Sequence, residues 1–402
     1  MKMKKFTTFL ILFLFSATVF AAKPHTILVS FDGFRWDYPH RDITPTLDSI
    51  RTNGVSASSL EPVFPTKTFP NHYSIITGMY PSNHGIIQNY FENPFTNEIY
   101  QLSDRDEVED SRWYLGEAFW ETAERQGITT ASYFWPGSEV QLEYRHPTYY
   151  HKYEHDRPYE ERVQGVIDWL KLPSEDRPQF ITLYFDATDS YGHRTGPNSE
   201  STNEAIRQLD SMIALLFQKL RIIEMIDSTN VIIVSDHGMT EVSQDKVVNI
   251  EPLIQDFEYT IYGSGPVAGI TVPDESIDEA VEALKNSNGH YQVYRRQDVP
   301  DYFHYSNHPF IPPIVLIADM GWSIVHNNAY RSVAVGGNHG YDNHHLDMHG
   351  IFYAIGPAFK TGYRTGTIHN IDIYPLLCEI FEIMPRQNID GKLNRIQFIL
   401  EN

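Results

Sequence analysis

The stretch Thr26-Ile-Leu-Val-Ser-Phe-Asp32 is a short apolar run, rich in β-branched residues, that ends in an aspartate. Two more runs of this kind occur further along the chain: residues 180–185 are followed by Asp189, and residues 231–235 by Asp236. Near-continuous apolar runs of this length are typical of strands buried on both faces of a parallel sheet. The three runs therefore predict three central strands of one sheet.

Longer segments with a helical period separate these runs. Apolar residues recur at intervals of three and four in residues 159–170 and 204–220, the second of which carries Ile206, Leu209, Ile213, Leu216 and Leu220. Strands that alternate with such helices indicate an α/β fold, with a mostly parallel sheet flanked by helices. We find no linkers or repeats, so we expect one domain over residues 23–402, with a small inserted subdomain within about residues 240–332.

The three aspartates are expected to meet, because ligands of open α/β sheets bind beyond the carboxyl ends of the strands. Histidines accompany two of them: His193 lies four residues after Asp189, with Gly192 expected to ease a tight turn, and His237 follows Asp236 directly. His339 is a third histidine, between glycines in Gly337-Asn-His-Gly340.

Carboxylate and imidazole ligands without thiolates suit zinc, and six such side chains fit two ions better than one. Two neighbouring ions can bind both the attacking and the leaving oxygen of a displacement at phosphorus. The chain has 18 histidines, and several lack an acidic partner at the right spacing. We interpret these as structural: His40, His290, His304, His308, His344, His345 and His349. The last three of them nevertheless lie close enough in sequence to His339 to line the same pocket.

The segment from Pro65 to Gly78 predicts a loop that enters a helix, with Pro70 at the first helical position. Thr68 would then lie just before the helix N-terminus, where amides and the helix dipole favour an anionic group. Metal coordination could activate its hydroxyl as a nucleophile. Spacing alone does not choose between Thr66 and Thr68, and either threonine could simply cap the helix.

Residues 1–22 combine a basic start, an apolar core and small residues before Ala22, which predicts a cleaved signal peptide and a secreted or periplasmic protein. The apolar core is too short for a stable membrane anchor. The formal net charge of −21 disfavours nucleic-acid polymers as partners but leaves small anionic substrates open. Cys378 is the only cysteine, and its apolar, helical surroundings predict a buried, inert thiol. The sequence leaves the oligomeric state open.

Several motifs, in the same order along nearly the whole chain, resemble the nucleotide pyrophosphatase/phosphodiesterase family of the alkaline phosphatase superfamily. They are Ser30-Phe-Asp-Gly-Phe-Arg35, Lys67-Thr-Phe-Pro-Asn-His72, Tyr80-Pro-Ser-Asn-His-Gly85, Phe134-Trp-Pro-Gly-Ser138, Asp189–His193, Ser235-Asp-His-Gly-Met239 and Asn338-His-Gly-Tyr-Asp-Asn343. The resemblance implies an alkaline-phosphatase-like fold and closer similarity to the compact bacterial members, because the cysteine-rich modules of the large members are absent from this sequence.

The resemblance also implies roles for individual residues. One zinc ion would be held by Asp32, Asp236, His237 and the nucleophile Thr68, and the other by Asp189, His193 and His339. Asn89 would donate a hydrogen bond to a phosphate oxygen. Phe69 and Tyr153 would stack on either side of a nucleobase, and Trp135 and Pro136 would shape the pocket wall.

These roles predict hydrolysis of nucleotide-type phosphodiesters or nucleoside triphosphates to nucleoside monophosphates through a covalent threonine intermediate. The alternatives are a choline- or lysophospholipid-type phosphodiesterase and, outside the enzyme class, a non-catalytic metal-binding module. A sulfatase is disfavoured because the Cys/Ser-x-Pro-Ser-Arg signature is absent.

Overall fold

The computed structural model describes residues 24–286, 289–326 and 335–401. The predicted signal peptide, residues 1–22, lies outside these ranges. The helices are α1 (Pro45–Asn53), α2 (Thr68–Thr77), α3 (Pro81–His84), α4 (Arg105–Glu109), α5 (Phe119–Glu124), α6 (Tyr159–Leu170), α7 (Ala187–Thr195), α8 (Glu200–Ile222), α9 (Glu251–Ile254), α10 (Ile277–Lys285) and α11 (Ile373–Ile380).

The first ten strands are β1 (His25–Phe31), β2 (Val55–Ala57), β3 (Leu60–Glu61), β4 (Tyr90–Glu92), β5 (Ile99–Gln101), β6 (Thr130–Tyr133), β7 (Tyr149–His151), β8 (Phe180–Phe185), β9 (Thr229–Val234) and β10 (Thr240–Val242). The others are β11 (Val247–Asn249), β12 (Thr260–Tyr262), β13 (Val267–Thr271), β14 (Tyr291–Arg295), β15 (Ile314–Ala318), β16 (Ser323–Val325), β17 (Gly336–Asn338), β18 (Phe352–Ile355), β19 (Tyr363–Thr365) and β20 (Ile368–His369).

The central sheet has eight strands in the order β19-β2-β18-β9-β1-β8-β6-β7. Strand β1 lies at its centre and pairs in parallel with both β8 and β9, while β18 is antiparallel to its neighbours β9 and β2. The prediction of a mostly parallel sheet, with these three apolar runs as strands, is confirmed. Strand β9 ends at Val234, one residue before the predicted end of that run.

Helices cover both faces of this sheet. Alternate residues of β1 point to opposite faces: Ile27, Val29 and Phe31 pack with α6 and α8, and Leu28 packs in the cluster that contains α2, α5 and α11. Helix α6 spans the predicted residues 159–170, and α8 contains the predicted residues 204–220. Cys378 is buried in α11, and burial raises its pKa to about 12, as expected of an inert thiol.

The stretch assigned from sequence to a subdomain contains a separate four-stranded antiparallel sheet, ordered β12-β13-β15-β14. Helices α9 and α10 pack with it in a hydrophobic cluster of its own, which includes Ile254, Ile270, Val281 and Leu316. Strands β10 and β17 form a small antiparallel pair that leads to His339. The loop after β17 therefore brings a distant part of the chain back to the central sheet.

Candidate metal centre and substrate pocket

The three predicted aspartates lie at the carboxyl ends of neighbouring central strands. Asp32 directly follows β1, Asp236 lies two residues after β9, and Asp189 lies in α7, which begins soon after β8. Gly33 allows this convergence, because its φ is +64° and a Cβ there would lie 2.9 Å from the Cα atom of Asp189. The turn after β1 can therefore approach α7 closely.

Asp32, Asp236 and His237 form the first acid–imidazole group, with ligand atoms within 4.8 Å of one another. The Nε2 atom of His237 lies 3.3 Å from Asp32 Oδ1 and 3.1 Å from Asp236 Oδ2. Its Nδ1 atom donates to the carbonyl of Gly238 at 2.8 Å, which leaves Nε2 as a lone-pair donor towards the carboxylates. The hydroxyl of Thr68 lies 3.3 Å from this Nε2 atom.

Asp189, His193 and His339 form the second group, also with ligand atoms within 4.8 Å. His193 Nε2 lies 3.3 Å from Asp189 Oδ1, and His339 Nε2 lies 3.5 Å from the same oxygen. Backbone carbonyls hold the other nitrogen of each ring: Gly337 accepts from His193 at 2.9 Å, and Thr66 accepts from His339 at 2.7 Å.

The prediction of a tight turn between Asp189 and His193 is wrong. Both residues lie in helix α7, where a spacing of four places them on one helix face without any turn. Gly192 serves packing instead, because a Cβ there would lie 3.0 Å from the side chain of Met239. Helix geometry therefore brings the two ligands together, and no glycine turn is needed.

The start of the nucleophile helix also differs from the prediction. Helix α2 begins at Thr68 itself, so Pro70 is its third residue rather than its first. The first turn of a helix tolerates proline because its N–H groups have no partner within the helix. Thr68 is therefore part of the helix N-terminus, and Thr66 points elsewhere, since its hydroxyl donates to the carbonyl of Tyr341 and accepts from Gly340 N–H.

The two groups lie side by side, since the rings of His237 and His339 stack with centroids 3.6 Å apart. Burial and the neighbouring Asp236 and Asp189 carboxylates raise the pKa of Asp32 well above its ordinary value. Burial opposes charge on Asp236 too, but His237 and His72 hold its pKa below the usual range. Burial also lowers the pKa of His339.

The residues present fit bound cations. Within the described ranges, the buried oxygens Asp32 Oδ1, Asp189 Oδ1 and Asp236 Oδ2 have no hydrogen-bond partner. Buried carboxylate oxygens without partners are costly unless a cation satisfies them. The donor set of carboxylates and imidazoles is the chemistry that zinc prefers.

A cavity of about 320 Å³ opens beside the two groups. Every predicted substrate residue lines it, together with Thr68 and members of both groups: Phe69, Asn89, Trp135, Pro136 and Tyr153. The carboxamide oxygen of Asn89 accepts from Phe69 N–H at 3.1 Å, which leaves its NH₂ group to donate towards a ligand. A larger cavity of about 540 Å³ lies between β4 and the four-stranded antiparallel sheet, but neither acid–imidazole group lines it.

Sequence reasoning missed several groups around this cavity and behind the first acid–imidazole group. Tyr184, in β8, donates to Asp32 Oδ2 at 2.6 Å. His72 lies 3.3 Å from Asp236 Oδ2 and also hydrogen-bonds the Ser30 hydroxyl at 2.8 Å. Arg105 and Glu139 form an ion pair at the cavity wall. Tyr184 lies in a strand of mostly apolar residues, and no spacing pattern in the sequence marks its hydroxyl for a polar role.

The histidines that we interpreted as structural do not line this cavity. His344 and His345 are exposed, while His349 is buried and hydrogen-bonds the Ser59 hydroxyl at 2.9 Å. Proximity in sequence to His339 therefore did not bring these three residues to the site.

The fold and this site together define a hydrolase of the α/β class with acid–imidazole groups suited to metal ions. Residues 26–342 match the family model for type I phosphodiesterase/nucleotide pyrophosphatase. The chain belongs to this family, within the alkaline phosphatase superfamily, as the sequence motifs predicted.

Relatives in the same family match over most of the chain. Human ectonucleotide pyrophosphatase/phosphodiesterase family member 5 is 36% identical over 96% of this chain and 82% of its own length. Human bis(5′-adenosyl)-triphosphatase ENPP4 is 38% identical over 91% of this chain and 80% of its own length. Human family member 1 is 34% identical, and the match covers 42% of its length.

Solved structures share the fold. The structure of human family member 5 superposes with a TM-score of 0.89 at 36% identity, covering 94% of this chain and all of that one. A murine family member 5 structure, also with a TM-score of 0.89 and 33% identity over 94% of this chain, is described as an inactive threonine-to-alanine variant in complex with AMP. These likenesses confirm the predicted alkaline-phosphatase-like fold and argue against the non-catalytic alternative.

Proposed function

We propose that this hydrolase cleaves nucleotide phosphodiester or pyrophosphate bonds and releases a nucleoside monophosphate. The observation that carries the proposal is the Thr68 hydroxyl, 3.3 Å from His237 and in the same cavity as the second acid–imidazole group. A murine relative that is described as inactive when a threonine is replaced, and that binds AMP, supports both the nucleophile and the substrate class.

We propose zinc at both groups, with one ion held by Asp32, Asp236, His237 and Thr68 and the other by Asp189, His193 and His339. When bound, two such ions neutralise negative charge and lower the pKa of coordinated hydroxyl groups. Within the chain itself, the amides at the start of α2 favour an anionic phosphate next to Thr68.

The proposed reaction has two steps. Thr68 Oγ1 loses its proton to solvent and forms a bond to phosphorus as the bond from phosphorus to the leaving oxygen breaks. This gives a phosphothreonine diester and releases the leaving group, which takes its protons from solvent. Water then attacks phosphorus, so that the nucleoside monophosphate leaves and the threonine oxygen regains a proton. The Asn89 amide donates to a non-bridging oxygen, where charge develops in each step.

The base would lie between Phe69 and Tyr153, against Trp135 and Pro136. All four side chains line the cavity, and stacking holds any base with about 1–3 kcal/mol. These aromatic faces favour a nucleotide over the choline- or lysophospholipid-type alternative. Rates on the nitrophenyl ester of thymidine monophosphate and on nitrophenyl phosphorylcholine test this choice, and faster turnover of the choline ester would reject the nucleotide assignment.

The covalent step has its own test. We expect Thr68→Ala to abolish turnover while keeping the fold, and Thr68→Ser to retain measurable turnover because a hydroxyl remains. Mass spectrometry of acid-quenched protein during turnover should find one nucleotidyl group on Thr68. If Thr68→Ala kept most of its metal-dependent turnover, the threonine scheme would be wrong. Metal analysis of the purified protein, with and without chelator, tests the two zinc ions.

Export of the protein stays a proposal that rests on residues 1–22. Among the described residues, every helix is too short or too polar to traverse a lipid bilayer. N-terminal sequencing of protein from the medium or periplasm should begin at or near residue 23, whereas an intact Met1 would contradict cleavage. Closer similarity to compact bacterial members likewise stays a prediction.

A further inference from the structure

A further cavity of about 390 Å³, the α7 cavity, adjoins the catalytic one. Three of its lining residues, His155, Asp186 and Ser190, also line the cavity beside Thr68. The two cavities therefore meet at these three side chains. A substrate that is longer than the catalytic cavity would extend into the α7 cavity.

Helix α7 carries residues of both cavities. Asp189 and His193 lie on one face of the helix and belong to the second acid–imidazole group. Ser190 and Arg194 form the neighbouring row, because residues four apart lie on the same face of a helix. Tyr191 lies next to this row, and its side chain lines the α7 cavity together with Arg194. A group that leaves the catalytic cavity past Asp189 therefore meets Tyr191 and Arg194.

The α7 cavity lies on the leaving-group side of the proposed reaction. The Thr68 hydroxyl lies 3.3 Å from His237, a member of the first acid–imidazole group. A two-metal site serves the attacking oxygen on one side and the leaving oxygen on the other. Since Thr68 belongs to the first group, the leaving oxygen faces the second group, which α7 carries. This step rests on the proposed function.

Two side chains of the α7 cavity have the chemistry to hold a nucleotide. The Tyr191 ring is 38% exposed, and the Arg194 guanidinium lies over it, 5.2 Å from the ring centroid. In the described part of the chain no carboxylate pairs with Arg194, whereas Arg157 in the same cavity is paired with two glutamates. Arg194 is therefore a cation that can bind a phosphate, next to an aromatic face on which a base can stack.

The acidic residues of the α7 cavity leave room for an anion. Asp186, where the two cavities meet, accepts a hydrogen bond from Tyr159 at 3.1 Å and lies 3.5 Å from the Arg162 guanidinium. Its charge is therefore balanced within the protein. Asp156 and Glu160 are exposed, so water and salt screen their charges.

We propose that the α7 cavity binds the leaving half of the substrate, with Tyr191 stacked on a second base and Arg194 in contact with the phosphate beside it. The substrate class is then a dinucleoside polyphosphate, which carries a base at each end. One base would lie between Phe69 and Tyr153 and the other on Tyr191, and the phosphates would cross the two acid–imidazole groups. A nucleoside triphosphate fills only the first base site, because its leaving group has no base.

The test compares two substrates that differ only in the leaving half. A dinucleoside triphosphate and the nucleoside triphosphate with the same base release the same nucleoside monophosphate, so the ratio of their kcat/KM values reports on the second base. Tyr191→Ala should lower this ratio about 5- to 150-fold, as expected for the loss of one stacked base. Tyr191→Phe should keep the wild-type ratio, because the ring remains.

The cation has a test of its own. Arg194→Gln should lower kcat/KM for the dinucleoside triphosphate about 2- to 5-fold at low salt, because an exposed charge pair contributes little. The loss should shrink at high salt, which screens exposed charges. An equal loss at low and high salt would contradict a contact between Arg194 and a phosphate.

Tyr144→Ala and Arg207→Gln are matched controls. Both residues are exposed, and neither side chain lines the catalytic cavity or the α7 cavity. Both variants should keep the wild-type ratio of kcat/KM values. If either control lowered the ratio as much as the variant it matches, the proposed contact of Tyr191 or Arg194 would be excluded, because the effect would not come from the α7 cavity.

A binding measurement tests the site without turnover. A methylene-bridged dinucleoside triphosphate, which resists hydrolysis, is titrated by calorimetry into Thr68→Ala and into Thr68→Ala/Tyr191→Ala at the same zinc concentration. The first protein should bind it about 5- to 150-fold more tightly. An unchanged affinity, or an unchanged ratio of kcat/KM values in Tyr191→Ala, would overturn the second base site and leave the proposed hydrolysis standing. If the wild-type protein hydrolysed neither substrate, the proposed function would fail, and calorimetry alone would then decide whether the α7 cavity binds a second base.

Discussion

Tyr184→Phe tests whether a hydroxyl hidden in a central strand supports the metal centre. Tyr184 donates to Asp32 Oδ2 at 2.6 Å, while Asp32 Oδ1 faces His237 at 3.3 Å. The tyrosine therefore engages one carboxylate oxygen and leaves the other for a metal ion. Phenylalanine keeps the ring and its packing and removes only the donor.

The expected size follows from the kind of hydrogen bond that is lost. A bond to a charged group contributes about 1.5–3 kcal/mol, which corresponds to about 10- to 150-fold in an equilibrium constant. Because Asp32 is buried, water cannot replace the donor. We expect Tyr184→Phe to weaken metal binding at the group of Asp32, Asp236 and His237 by this factor, so that turnover needs more added zinc.

The assay is turnover of a nitrophenyl nucleotide ester against free zinc concentration. Tyr114→Phe is the matched control, since it removes a buried hydroxyl that hydrogen-bonds the Tyr100 hydroxyl at 2.9 Å, away from the metal groups. The control should lose stability but keep the wild-type zinc dependence. If Tyr184→Phe showed the same zinc dependence as this control, the supporting role would be refuted.

Further outcomes follow from the same structure. Phe69→Ala should lower kcat/KM for nucleotide esters about 5- to 150-fold, because about 1–3 kcal/mol of stacking is lost. The kcat/KM for a nitrophenyl diester without a base should not change, and equal losses on both substrates would contradict base stacking. Gly238→Ala should cost about 1–3 kcal/mol or prevent folding, because its Cβ would lie 2.1 Å from the carbonyl oxygen of Asp347. Gly366→Ala should be nearly neutral by urea unfolding, because nothing lies within 4 Å of that Cβ. Burial lowers the pKa of His84 to about 3. As the pH falls below about 6.5, the unfolded chain therefore binds a proton at this residue before the folded chain does, which should cost ~2 kcal/mol of stability between pH 7 and pH 5. Urea unfolding of His84→Gln should show a weaker pH dependence of the free energy of unfolding, and an unchanged pH dependence would exclude this cause.

Local sequence was sufficient to predict the sheet and the helices that cover it. Runs such as residues 26–31 are too apolar for an edge strand, and residues 159–170 bury one face at helical spacing, so each segment indicates its own environment. The aspartates after the strands could be expected to converge because parallel strands all end at one edge of the sheet.

Other features of the site depend on contacts that no local pattern encodes. The sequence alone could not show that Asp189 and His193 share a helix, because a glycine at position 192 is equally compatible with a turn, and packing against Met239 decides the matter. It could not reveal Tyr184 as a partner of Asp32, because the register between β1 and β8 sets which side chains meet across the strands.

The sequence by itself thus determined the α/β architecture, the family and the identity of the acids and imidazoles, since these follow from short apolar runs and from residues that lie next to each other in the chain. Only the tertiary structure decided how these side chains group and what supports them. Their partners lie more than a hundred residues away, as with Asp32 and Tyr184 or His193 and His339, and such contacts form only when the folded sheet and loops bring distant segments together.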